Sequence, residues 1–274
     1  MSDVDLPPKR RRLISVATLV GFVGITALGS HLFQLVATQS EGYGRLLEIF
    51  AYIYLPQLVV AVLLAWLIGG HRRIVGVLGL ESGFIAAVLM ALIVTLPMLL
   101  TLAMTGPFAP PADFVLQTLR SSVFPGFFEE LTFRAVLFGF LFRFAGWGFL
   151  PAALIGGAVF GAAHLYQEED AMRALGVFAI TGVGGIWFAW LYSEWRFNLW
   201  VPIAFHTLMN FWWMLFPVAD SALGPMPANV SRLAVIILSV IVTVVVAKRR
   251  GGLVVRGRHW LVGGPAVRPP ASTS

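Results

Sequence analysis

The 274-residue chain contains no cysteine, which excludes disulfides, thiolate nucleophiles and thiolate metal sites. Charge is scarce as well. Only 12% of residues are charged and 58% are hydrophobic, whereas about a quarter of an ordinary soluble domain is charged. A water-soluble globular fold is therefore excluded, and the composition is that of an integral membrane protein. Aspartate is missing from every long apolar run, so a membrane-embedded aspartyl dyad of the GxGD kind is excluded. There is no HExxH of a zincin or site-2 type protease and no GxSG of a rhomboid. No internal repeat is visible. The formal charge of +6 is concentrated near the two ends, which makes it a topology signal and gives no support to a nucleic-acid partner.

The apolar runs fall at about 13–37, 46–68, 83–104, 121–142, 149–165, 175–192, 199–216 and 231–247. Each is close to the roughly 20 residues a spanning helix needs. The expectation is an all-α polytopic membrane helix bundle of about eight transmembrane helices. Residues 1–12 form a basic cytoplasmic N-terminus, 13–247 a single bundle, and 248–274 a basic, disordered cytoplasmic tail. The first run exceeds a signal-peptide core of about 7–15 residues and reads as an uncleaved span. With both termini inside, 14 of the 19 Lys and Arg residues lie on the inner side and 4 on the outer, as the positive-inside rule requires. Residues 112–120 are amphipathic and predict a short interfacial helix leading into the fourth span. Small-residue clusters at Gly156, Gly157 and Gly161, and at Gly182, Gly184 and Gly185, suit close helix contacts.

Ionisable side chains at membrane depth are costly, so those present point to function. The fourth run carries Glu129, Glu130 and Arg134. Glu130 and Arg134 are four apart on one helix face, where they can pair. Glu129 points about 100° away and needs a partner on another helix. The fifth run ends in Phe160 and His164, and the seventh holds His206 and Asn210, again four apart. With the fourth span running inward and the seventh outward, Glu129 lies roughly 13 Å and His206 about 16 Å from the outer face. His164 is close to that face, so all three fall in the outer half.

In chain order these residues read EExxxR, FxxxH and HxxxN on separate spans, over roughly 121–216. This resembles the CPBP (CAAX protease and bacteriocin-processing, or Abi) family, bacterial relatives of the Ras-converting CaaX prenyl endopeptidase. The family usually continues its first motif with Gly where Ala135 stands here. The resemblance implies an intramembrane endopeptidase, a hydrolase of the bacterial cytoplasmic membrane, acting on a membrane-associated protein or peptide. It implies that Glu129 and His164 activate water, that His206 and Asn210 stabilise the oxyanion, and that Glu130 and Arg134 support the site.

Glu129, His164 and His206 also have the chemistry of a three-ligand zinc site. The cofactor is accordingly none or a divalent metal such as zinc, and Asn210 beside His206 favours hydrogen bonding over ligation. Two rival readings of the same residues are a transporter or proton-coupled carrier and a non-catalytic bacteriocin-immunity or scaffold protein. His31 and His71 lack spaced partners and read as packing and interface residues, and Glu168, Glu169 and Asp170 as a solvated acidic loop. The Trp residues at 187, 190, 195, 200, 212 and 213 mostly sit near span ends, as an aromatic belt would.

Overall fold

A computed structural model of the protein describes residues 6–36, 40–81 and 83–263. The described chain is all-helical, with an isolated bridge between Trp147 and Val262 as its strand-like pairing. The long helices are α1 (Pro8–Val36), α2 (Gly42–Gly69), α3 (Phe84–Thr105), α4 (Pro125–Phe144), α5 (Phe149–Ala162), α6 (Ala171–Glu194), α7 (Trp200–Leu215) and α8 (Met226–Arg249). Apolar side chains make lipid an acceptable solvent, and lipid leaves the backbone no alternative to internal hydrogen bonds. The breaks between helices come at residues that tolerate a left-handed backbone, including Gly70 at φ +75° and Gly146 at φ +77°.

Six of these helices are long and apolar enough to cross a membrane by length and composition, where eight spans were expected. The α5 span reaches that length with its continuation to Gln167, and the two that fall short are α4, which carries Glu129, Glu130 and Arg134 in its first half, and α7, which has only 16 residues. The expected lead-in helix is present as Phe114–Thr118, continued by a wide turn over Leu119–Val123 into α4.

Helix α4 is the axis of the bundle and packs on α1, α2, α5, α6 and α7. Its hydrogen bonds follow the wider i→i+5 pattern throughout, which reduces the angle between successive side chains. Every residue from Glu130 to Phe142 is buried. Towards its C-terminal end Phe138 and Phe142 meet the edge or face of Phe149, and Phe138 also meets Tyr192. Lipid tails are as apolar as these side chains, so close packing, and not exclusion from water, holds such helices together. The α5–α6 contact is the clearest case, since any side chain on Gly157 would meet the Gly182 carbonyl oxygen at 2.8 Å.

The helix ends sort into two groups. On one side, Arg10 donates to Ile68 O, Arg143 to Val77 O and the Tyr192 hydroxyl, Trp147 to Ser15, and Arg196 to Arg250 O. On the other, Ala109 N donates to Leu215 O and Ala222 N to Gln167 Oε1. The described ends of the chain thus lie on the same side of the bundle.

Two expectations are corrected here. The basic N-terminus expected at 1–12 is helical from Pro8, so that Lys9 to Arg12 belong to the start of α1. The tail is not free from residue 248: α8 continues to Arg249, and the chain through Gly263 folds back onto the bundle. The buried Glu194 carboxylate at the end of α6 accepts from Val254 N at 2.7 Å and Val255 N at 2.9 Å. Trp260 then meets the edge of Phe149, and Gly263 N donates to Gly146 O. Burial of Val254 and Val255 repays ordering this segment, a pattern too short for periodicity to reveal. Residues 264–274 of the expected tail lie outside the described residues.

Glu194→Ala strands two backbone donors, which costs about 3 kcal/mol locally. Limited tryptic cleavage at Arg256 and Arg258 should accelerate in this variant while the rest of the bundle stays resistant.

Candidate active site

The centre of the site is the Glu130 carboxylate, which is 0% exposed. Its Oε1 accepts from His206 Nδ1 at 2.7 Å, and its Oε2 lies 3.1 Å from Arg134 Nε. The second contact is close enough for an ion pair but is not aligned as a hydrogen bond. Because a carboxylate only accepts, the proton of the first bond sits on His206 Nδ1. The other ring nitrogen, Nε2, therefore turns to Glu129, whose Oε2 is 3.8 Å away and has no hydrogen-bond partner. Glu129 is the more open of the two acids, with 27% of its side chain exposed.

Local sequence explains how α4 and α7 come this close. Gly126 on α4 lies against Thr207, the residue after His206, and a Cβ there would come within 3.0 Å of the Thr207 backbone nitrogen. Only a bare backbone allows that approach. The widened winding of α4 then presents two consecutive carboxylates to one imidazole.

Aromatic rings complete the surroundings. The Arg134 guanidinium lies 4.4 Å from the centre of Phe160 and 5.3 Å from Phe188. Its two terminal nitrogens have no hydrogen-bond partner, so ring faces take the place of acceptors. Both rings also face His206, at 6.4 Å for Phe160 and 5.8 Å for Phe188. Phe160 further carries His164, whose ring centre is 4.5 Å from its own. His164 Nδ1 is 2.7 Å from the Phe160 carbonyl oxygen, an acceptor, so Nδ1 is the protonated nitrogen and Nε2 keeps its lone pair.

The sequence reading paired Glu130 with Arg134 and left Glu129 to find a partner on another helix. The structure instead shares Glu130 between Arg134 and His206, and leaves Glu129 at the longer distance. His164 joins the group through Phe160, without a hydrogen bond to either acid. Asn210 stands one helical turn beyond His206 on α7, half-buried, and makes no described hydrogen bond. Phe188 and Gly126 carry no motif signal and are recognisable only from the packing.

Glu129, His164 and His206 do not gather as zinc ligands. Among the described residues no group of three or more His, Asp or Glu side chains is placed to hold a metal ion. Each histidine commits Nδ1 to an oxygen and keeps Nε2 for a further contact, but the three side chains are too dispersed to act together as a three-ligand site.

Residues 111–212 match the family model for type II CAAX prenyl endopeptidase Rce1-like proteins. This segment is an Rce1-like domain. It contains Glu129, Glu130, Arg134, Phe160, His164, His206 and Asn210, and the match supports a CAAX-type intramembrane protease at the family level, in agreement with the CPBP resemblance. No curated protein and no solved structure matches the chain.

The acidic loop beyond His164 is not simply solvated. Glu168 accepts from Arg173 Nε and Nη2, both at 2.8 Å, and from the Ser221 hydroxyl at 2.5 Å. With Gln167 bound to Ala222 N, these contacts tie the Rce1-like segment's α5–α6 loop to the α7–α8 loop. The Arg173 hydrogen bonds, then that of Ser221, hold the Glu168 carboxyl below the usual carboxylate range.

Two outcomes follow from this geometry. Glu130→Ala leaves Arg134 buried without its counterion and should lower thermal stability in detergent by about 3–5 kcal/mol, whereas the half-open Glu129→Gln should change it by less than ~1 kcal/mol. A depressed carboxyl pKa stabilises above its ordinary value of about 4.3 and loses that contribution as pH falls through the lowered value. Amides of 165–173 should therefore stay protected from hydrogen exchange at neutral pH and lose protection below about pH 4, and Glu168→Gln should lack that protection throughout.

Proposed function

We propose that the protein is an intramembrane endopeptidase in which Glu129 and His164 activate a water molecule against a peptide carbonyl. The reading is carried by one observation: His206, held by Glu130, leaves Glu129 Oε2 without a hydrogen-bond partner 3.8 Å from its Nε2. A carboxylate with an unused oxygen and an imidazole with an exposed lone pair are the groups that can take the proton of an attacking water. As the water adds to the carbonyl carbon, its proton passes to Glu129 and is then available to the leaving amine.

His206 and Asn210 serve the developing oxyanion. His206 is held through Nδ1 by Glu130 with its Nε2 edge turned towards the reacting carbonyl, and the Asn210 amide one turn away supplies an N–H donor. Donors fixed before the reaction in a water-poor site stabilise that charge without reorganising. Arg134 pairs with Glu130, and Glu130 in turn holds His206 in the orientation this role needs. The substrate is a peptide or membrane protein reaching the site from the bilayer. Its chemistry is open to an end without a prenyl group, because the charge bias puts the cavity nearer the non-cytoplasmic face if both termini are inside.

Purified protein and a Glu129→Gln variant, each incubated with a peptide library with and without a chelator, test the proposal. Glu129→Gln should cut cleavage by ~100-fold to 10000-fold, and Asn210→Ala by ~100-fold to 1000-fold. The chelator should leave the rate unchanged. Equal cleavage by wild type and Glu129→Gln would overturn the catalytic assignment, and loss on chelation restored by zinc would overturn the metal-free mechanism.

A further inference from the structure

Helix α2 carries two polar side chains beside the site that the mechanism leaves unused. Its turn Phe50–Tyr54 winds in the wider i→i+5 pattern, because Pro56 has no N–H for the Tyr52 carbonyl. Widened turns of this kind recur at functional sites. This one turns Tyr54 onto α4, where its ring stacks on Phe128 at 4.5 Å and 12° and meets the edge of Phe124 at 5.8 Å. Phe128 is the residue before Glu129. Of the ionisable groups around the Tyr54 hydroxyl, Glu129 acts on it most strongly, ahead of Tyr166 and Arg120. Among the described residues that hydroxyl has no hydrogen-bond partner. Gln57, three residues on and so a neighbour of Tyr54 on the helix surface, has a buried Oε1 that is likewise without a partner.

Packing sets the depth of Gln57. Gly29 of α1 faces Tyr52 and Ile53, and Gly21 faces Val60 and Leu64, so Gln57 lies level with about Ile25 of α1. Phe22 of α1 meets Phe133 of α4. The step from Phe22 to Ile25 rises about 4.5 Å, and the same rise along α4, which runs the opposite way, leads back from Phe133 to about Glu130. Tyr54 and Gln57 thus flank the two glutamates at their own depth.

We infer that Tyr54 and Gln57 bind the main chain of the substrate peptide beside the bond to be cut, an inference that rests on the endopeptidase function proposed above. A peptide bond opened to attack within a bilayer is no longer helical, and its freed N–H and C=O groups need partners that lipid does not offer. A carboxamide supplies two N–H donors and an accepting oxygen, the complement of one peptide unit, and a phenol O–H donates to a carbonyl. Packing on Phe128 alone would be served equally by phenylalanine.

The test is the affinity, in detergent micelles, of a fluorescent form of the library peptide that the wild type cleaves best, measured on full-length Glu129→Gln to prevent turnover. Adding Tyr54→Phe or Gln57→Leu should each weaken binding about 3-fold to 10-fold, the scale of one net hydrogen bond. Tyr52→Phe, which removes a hydroxyl from the opposite face of α2, should leave it unchanged. Replacing the amides next to the cleaved bond by esters, which removes N–H groups and weakens the carbonyl acceptors, should abolish the difference between the variants and their parent. Unchanged binding in Tyr54→Phe or in Gln57→Leu would overturn that residue's assignment, and equal weakening for the amide and ester peptides would overturn the main-chain contact. A failure of Glu129 as the base would appear in the cleavage rates and not in these affinities.

Discussion

The Glu130 carboxylate, without exposure and shared between Arg134 and His206, is the contact on which the rest of the bundle depends. An isolated charge in hydrocarbon costs several kcal/mol, and three such groups on two helices are tolerable only as a set. One oxygen of Glu130 serves each partner, so neither is left alone. The surrounding structure is shaped to keep that set closed. Gly126 brings α7 within reach, and Phe160 and Phe188 cover the guanidinium faces that find no oxygen. Five neighbouring helices then seal α4 from lipid.

This arrangement separates two adjacent glutamates that look equivalent in the sequence. Glu130 is buried and held by both Arg134 and His206, which suits the proposed orienting role. Glu129 is more open and keeps one oxygen unused, which is what a base needs. Phe160 connects the remaining parts, since a single ring touches Arg134, His206 and His164. The histidine that lacks direct contact with the acids is thereby held at the edge of the same space.

Much of this was legible in the sequence, and the reasons for the gaps are physical. Long apolar runs locate the helices because lipid imposes helix on them, and the EExxxR, FxxxH and HxxxN spacings locate the polar groups on their faces. The pairing of His206 with Glu130 was not legible. An i, i+4 arginine seemed to satisfy that carboxylate, yet each carboxylate has two oxygens, and the second is claimed by a residue 76 positions away. Phe188 and Gly126 act only through packing, which no local pattern records. The folded segment around Val254 and Val255 escaped notice because its anchor is the backbone amides, whose use by Glu194 does not depend on side-chain identity.

The central claim is that Glu130 fixes the protonation of His206 at Nδ1 and directs Nε2 towards Glu129. Nitrogen-15 spectra of histidine-labelled protein in detergent micelles, with His206→Gln to assign the signal, measure this directly. The account predicts a protonated Nδ1 on His206 that persists in Glu129→Gln. A wild-type His206 carrying its proton only on Nε2, with Nδ1 bare, would contradict it.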